Sequence, residues 1–100
     1  MKYKDILEAR ELLELPERAS MDEIKSNYRR LVSLWHPDKY QENKEKSEEM
    51  TRKIIAAYEI ITVYCENYKY SFAREEVRRY LSVEEWWFDK FGNDPLWGKP

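Results

Sequence analysis

Four apolar residues upstream of Pro37 dictate what the middle of this chain must become. Ile24, Tyr28, Leu31 and Trp35 follow one another at intervals of four, three and four residues. That spacing stacks side chains on one helical stripe suited to an antiparallel partner helix. Pro37 closes the segment, because a proline in a helix interior removes a hydrogen bond and clashes with the preceding turn. The start is marked too. Ser20-Met21-Asp22-Glu23 has the form of a capping box, in which Ser20 accepts from the amide of Glu23 and Glu23 reaches back to the amide of Ser20. Lys25, Arg29 and Arg30 lie off the apolar stripe and form a basic ridge running toward His36.

Partners for this helix are legible on both sides. Residues 5–14 place Ile6, Ala9 and Leu13 on one face and Glu8, Glu11 and Glu14 on the other, which predicts a short amphipathic helix. It should stop near Leu15, since Pro16 disfavours helical geometry in the residue before it. After Pro37 a polar loop is expected from Asp38 to about Asn43. From Lys44 the helical period resumes through Met50, Ile54, Ala57 and Tyr58, Ile61, Cys65 and Tyr68, giving the longest element, over twenty residues. Ile55, Ile60, Val63 and Tyr64 widen its apolar arc beyond what one partner helix would cover. A second box, Ser82-Val83-Glu84-Glu85, divides the remainder into predicted helices over about 72–81 and 83–91, with Leu81 and Trp86 as a hydrophobic staple. Gly92 can supply the left-handed residue closing the last of these.

Composition agrees with an all-α chain. Two glycines in 100 residues leave little material for hairpin turns or a phosphate-cradling loop. The length allows one hydrophobic core. One histidine and one cysteine, His36 and Cys65, cannot build a zinc site of the usual kind, so no metal and no cofactor is expected. No apolar run approaches the roughly 20 residues of a membrane span, and the Met-Lys-Tyr-Lys-Asp start lacks the apolar stretch of a secretory signal. A cytoplasmic location and no membrane partner are the expectation. The net charge of −2 excludes bulk electrostatic attraction to nucleic acid, so any charge-driven partner must meet a local patch. Aromatics are unevenly spread: 11 of the 15 fall in residues 58–97.

The basic ridge meets the loop at Arg29-Arg30-Leu31-Val32-Ser33-Leu34-Trp35-His36-Pro37-Asp38-Lys39, and here the chain resembles a J domain, the co-chaperone module of DnaJ-type proteins. That family carries a His-Pro-Asp tripeptide in the loop between two antiparallel helices. The resemblance extends through Ala19-Ser20, Glu23-Ile24-Lys25, Tyr28-Arg29-Arg30-Leu31, Trp35, Lys39 and Ala57-Tyr58-Glu59-Ile60-Ile61, covering about residues 9–62. It implies an antiparallel hairpin of the second and third helices with a short N-terminal helix, a J domain over residues 1–70, and a helical extension over 71–100 packed on it as one structural unit.

The resemblance also implies a function: binding a DnaK-type heat shock 70 chaperone and stimulating its ATP hydrolysis, with capture of an unfolded or specialised client polypeptide. Phosphate chemistry belongs to that partner, so the chain itself is expected to have no catalytic residue and not to be an enzyme. Lys25, Arg29 and Arg30 would meet an acidic surface, with Tyr28 at the position for shared packing and contact. His36, Pro37 and Asp38, followed by Lys39, would engage the seam where the partner's domains dock. On physical grounds, residues 24–39 hold four Lys/Arg against one acidic residue, a local +3 that can steer encounter. An exposed Asp in a stiff loop can accept a bidentate arginine. Charge periodicity alone would read the ridge as an ordinary solvated face. Tyr28 and Trp35 read as core before contact, His36 alone as a helix cap, and Cys65 as a buried inert thiol.

The chain departs from the family pattern in helix three. The usual phenylalanine seven residues before Tyr58 is Thr51, with Met50 expected to fill its space; Ile55 replaces a polar residue; and no Asp-Pro follows Ile61. The Gly/Phe-rich linker, zinc repeats and β-rich client region of full DnaJ proteins are missing, so a minimal, specialised co-chaperone is expected. Competing classes are a small helical nucleic-acid binder using residues 21–36, disfavoured by Asp38 and Glu42 beside it, and a scaffold with a degenerate J-like fold. Residues 70–97 are expected to fold back so that Phe72, Val77, Trp86, Trp87, Phe91 or Trp97 cover the wide arc of the third helix, or else some of these aromatics form an exposed patch for a client or partner. Covering is the expectation, because exposed tryptophans invite aggregation, and each large apolar side chain fully buried contributes about 1.5–3 kcal/mol. Deleting residues 82–100 should then lower the melting temperature by many degrees, at roughly 4–8 °C per kcal/mol. Unchanged melting would contradict it.

Overall fold

The capping box at Ser20 forms as expected and starts helix α2, Met21–Trp35: the amide of Glu23 donates to Ser20 Oγ at 3.2 Å and the amide of Ser20 to Glu23 Oε1 at 3.2 Å. The computed structural model describes residues 1–81. Helix α1 precedes it over Tyr3–Leu12, and helix α3 follows over Lys44–Glu66. The chain divides after Tyr68 into two units, the first holding these three helices.

Helix α1 begins two residues earlier than the 5–14 expectation, because the Asp5 carboxylate accepts the amide of Lys2 at 2.9 Å and caps the first turn. It also ends earlier. Leu15 precedes a proline and cannot be helical, so the chain leaves at Leu13 through Glu14 at φ 52°. The Leu15 amide then reaches the Arg10 carbonyl and the Glu14 amide the Glu11 carbonyl, each at 3.0 Å. These two bonds make a Schellman ending with glutamate where glycine is usual. A left-handed residue with a Cβ costs about 1–3 kcal/mol, which the surroundings must offset. Leu13 and Leu15 are both buried as a result.

Helix α3 packs against both α1 and α2. The core comprises Ala9, Leu13 and Leu15 from α1 and its exit, Ile24 and Leu31 from α2, and Ile54, Ala57 and Ile61 from α3. The last three lie three and four residues apart on one stripe, as the periodicity requires. Tyr28 stacks on Tyr58 with ring centroids 4.0 Å apart, while the end of α2 meets the beginning of α3 at Ser47 and Thr51. The two helices are therefore antiparallel. Asn43 caps α3 by accepting the Lys46 amide at 3.1 Å, so the loop over 38–43 closes where the polar run predicted.

One expectation for α3 changes. Met50 is only half-buried and stays outside the core cluster, while Ser47, about one turn earlier, is fully buried. Ile55, Val63 and Tyr64, on the wide apolar arc, are exposed.

In the second unit the helix expected over 72–81 contracts to α4, Arg74–Arg78. Four of its five residues are charged and Ala73 offers no side-chain cap, so little offsets the cost of nucleating a turn. Ser71 Oγ accepts the Ala73 amide at 3.2 Å ahead of it, and Phe72 is 88% exposed. The predicted helix over 83–91, its staple, and Trp86, Trp87, Phe91 and Trp97 lie outside the described residues.

Cys65 is half-buried against the core, and burial pushes its thiol above the ordinary range. A raised value means less thiolate at a given pH in the folded chain than in the unfolded one. Alkylation by iodoacetamide at pH 8 should be severalfold slower in the native protein than in urea; equal rates would contradict the packing assigned to Cys65.

Candidate functional site: the His-Pro-Asp loop and the cationic ridge

Helix α2 ends at Trp35, and His36 leaves it in an extended conformation, φ −58° and ψ 137°. Pro37 has no N–H and fixes its own φ, so the loop cannot continue the helix. Its remaining donors fold back on His36: the amides of Lys39 and Tyr40 reach the His36 carbonyl at 2.9 and 2.8 Å, and the Asp38 amide reaches His36 Nδ1 at 3.2 Å. Accepting at Nδ1 places the proton of the neutral ring on Nε2. Gln41 Nε2 donates to the Asp38 carbonyl at 3.1 Å. Almost every bond holds the main chain or the His36 ring, and the Asp38 side chain stays 89% exposed, its carboxylate 3.7 Å from His36 Nδ1. The result is a compact turn presenting one carboxylate to solvent.

The cations do not all sit where the sequence alone would put them. Lys25 and Arg29 are exposed, one helical turn apart, and make no ion pair among the described residues. One turn further on is Ser33, and the ammonium of Lys39 returns from the loop to donate to its hydroxyl at 3.1 Å. Positions four apart on a helix are separated by about 6 Å of rise. Lys25, Arg29 and the Lys39 ammonium over Ser33 therefore form a row of three positive charges on one face. Sequence reasoning counted Lys39 as a loop residue; its contact with Ser33, six residues back, carried no signal in the helical period.

Arg30 is diverted. Its guanidinium donates to Glu14 Oε1 at 2.7 Å, pairing with the left-handed residue at the end of α1. Asn27, one turn earlier on α2, donates to the carbonyls of Leu13 and Glu14 at 3.0 and 3.1 Å. These bonds tie the exit of α1 to α2 and offset the cost of the left-handed Glu14. Neither the Asn27 bonds nor the Glu14–Arg30 pair leaves a signal in the helical period, because these contacts span 13–16 residues.

Trp35 anchors the loop from below. Its carbonyl accepts the hydroxyls of Ser47 at 2.5 Å and Thr51 at 3.3 Å. Its ring packs against Tyr40 at 4.8 Å between centroids, with the Lys46 ammonium 5.6 Å from its centre. Tyr28, stacked on Tyr58, is half-buried and serves the hairpin.

Among the described residues no cluster of histidine, cysteine, aspartate or glutamate could hold a metal ion, and no helix is long and apolar enough to cross a membrane.

The family model described as DnaJ domain matches residues 3–69, and the chain belongs to that family. Over 52 residues, 52% of this chain, it is 44% identical to DnaJ homolog subfamily B member 3 of Homo sapiens, where the match covers 36% of the relative. It is 44% identical over the same length to DnaJ homolog subfamily B member 2 of Homo sapiens, covering 16% of it, and 42% identical to Chaperone protein DnaJ of Thermotoga maritima, covering 14%. The chain thus matches about a third or less of the length of these curated relatives. No solved structure matches it significantly.

Replacing Asn27 by Ala leaves the Leu13 and Glu14 carbonyls without that donor. A lost bond of this kind costs about 1–3 kcal/mol where the acceptor is shielded from water. Chemical denaturation should show that loss with an unchanged m-value; full wild-type stability would contradict the strap.

Proposed function

We propose that this chain is a co-chaperone that docks on a DnaK-type heat shock 70 chaperone and stimulates its ATP hydrolysis, delivering an unfolded or specialised client to it. The observation that carries this reading is the carboxylate of Asp38, 89% exposed on a turn whose amides close on His36. Membership of the DnaJ domain family supports the choice of partner.

The roles follow from charge and stiffness. The row formed by Lys25, Arg29 and Lys39 steers encounter with an acidic surface and fixes orientation, while contributing little to affinity at high salt. Asp38 accepts a cation of the partner, a charge-assisted bond of about 1.5–3 kcal/mol. Pro37 and the bonds to His36 lower the cost of ordering the loop on docking. Tyr28 contributes at the edge of the ridge. The tripeptide shifts its partner toward the hydrolysing conformer to the extent that it binds that conformer better. The chain performs no bond chemistry itself in this reading, and it works in the cytoplasm without nucleic acid or membrane.

Arg30 joins the docking surface by exchanging Glu14 for a carboxylate of the partner. Glu14→Gln releases it beforehand and should tighten association severalfold. Binding to the ATP-bound chaperone, followed by calorimetry or anisotropy, should weaken as salt rises, and Arg29→Glu should flatten that dependence. Asp38→Asn should reduce affinity roughly tenfold or more at every salt concentration. Binding insensitive to Asp38→Asn, or salt-sensitive binding to duplex DNA that ignores the same substitution, would contradict the proposal and favour the nucleic-acid reading.

A further inference from the structure

We propose that Ser47 and Thr51 of helix α3 are positioning residues for the docking loop, acting through the carbonyl of Trp35. This inference rests on the docking function proposed above and assigns the loop's orientation to two hydroxyls on the opposite helix.

The last carbonyls of a helix lack main-chain donors, and the residues that follow normally supply them or leave them to water. At the end of α2 that supply is cut. Pro37 has no N–H, and the amides of Asp38, Lys39 and Tyr40 all turn to His36 instead. The Trp35 carbonyl is the last helical one before the tripeptide, and it receives Ser47 Oγ at 2.5 Å and Thr51 Oγ1 at 3.3 Å. The two donors are four residues apart on α3, so they share one face and converge on a single acceptor.

Their burial separates this contact from an ordinary helix cap. Ser47 is 0% exposed, the one fully buried polar side chain among the described residues. A buried hydroxyl without a partner costs free energy, so its bond to Trp35 is required once α3 has packed. The peptide unit that accepts it also carries the His36 nitrogen. Holding this unit in place restricts Trp35 ψ and sets the direction in which His36, Pro37 and Asp38 depart from the hairpin. The ring of the same Trp35 is flanked by Tyr40 and by the Lys46 ammonium, so residue 35 is gripped at backbone and side chain together. Asp38 touches neither hydroxyl. Ser47 and Thr51 can influence docking only through the orientation of this peptide.

Thr51→Val keeps the shape of the side chain and removes the hydroxyl, Ser47→Ala removes the other, and Thr51→Ser retains a donor in a smaller side chain. Two readouts are needed. In the free protein, the carbonyl carbon shift of Trp35 should move in Thr51→Val and Ser47→Ala, and amide order parameters should fall for residues 36–40 while those of α1 stay unchanged. With the DnaK-type chaperone, single-turnover hydrolysis stimulated by either hydroxyl-less variant should drop about three- to tenfold, and Thr51→Ser should return to within twofold of wild type.

An unmoved Trp35 carbonyl and an unchanged loop in both hydroxyl-less variants would overturn the inference. So would a loosened loop with undiminished stimulation, or a loss in Thr51→Ser equal to that in Thr51→Val. If Ser47→Ala fails to fold, Thr51→Val and Thr51→Ser decide the matter between them. A wild-type chain that does not stimulate the chaperone defeats the docking proposal itself, and the carbonyl and order-parameter measurements still decide whether the hydroxyls hold the loop.

Discussion

Pro37 ends helix α2 by forcing His36 out of helical geometry, and most of the site follows from that stop. The amides of Asp38, Lys39 and Tyr40 that could have served the Trp35 carbonyl close on His36 instead. The helix must stop at Trp35, leaving its carbonyl to be satisfied from elsewhere. Two hydroxyls of α3 meet that demand, which draws the start of α3 against the end of α2. The stacked pair Tyr28 and Tyr58 and the shared core residues Ile24, Leu31, Ile54 and Ala57 then hold the rest of the hairpin antiparallel. The loop between the helices has little freedom left. Its amides close on His36, and the carboxylate of Asp38 stays in water.

Charge is organised locally in a chain whose net value is only −2. Lys25 and Arg29 come from α2, and Lys39 reaches back from the loop to Ser33 to extend the row. Arg30 is held by Glu14, whose left-handed conformation is itself stabilised by Asn27. The exit of α1 therefore does two things at once: it buries Leu13 and Leu15, and it presents an acidic side chain to Arg30 of the cationic ridge. Under the proposed function a partner carboxylate would compete with Glu14 for Arg30, and affinity at this edge would depend on that internal exchange as well as on the partner.

The parts of the molecule legible in the sequence are those whose signals are local. The capping box at Ser20, the stop at Pro37, the stripe on α2 and the long α3 all rest on contacts within one helical turn or on a regular period. The His-Pro-Asp register led to the DnaJ domain family, which the family model matches over residues 3–69. What escaped the sequence depends on contacts between elements. Asn27 and Glu14 meet across 13 residues, and Ser47 and Thr51 meet Trp35 across 12 and 16. Thr51 read as a gap in the core pattern; in three dimensions its hydroxyl is a donor, and Met50 does not take the core place expected of it. Helix α4 is shorter than its apolar period suggested, because Phe72 and Tyr80 are exposed and no cap supports the first turn.

The central claim is that the loop acts on a chaperone's ATP hydrolysis, and single-turnover hydrolysis by a DnaK-type chaperone tests it most directly. The chain is added in parallel with its His36→Gln and Asp38→Asn variants, each first confirmed to be folded. Stimulation by the wild type, lost in both variants, is the predicted result. No stimulation by the wild type, or equal stimulation by all three, would contradict the account.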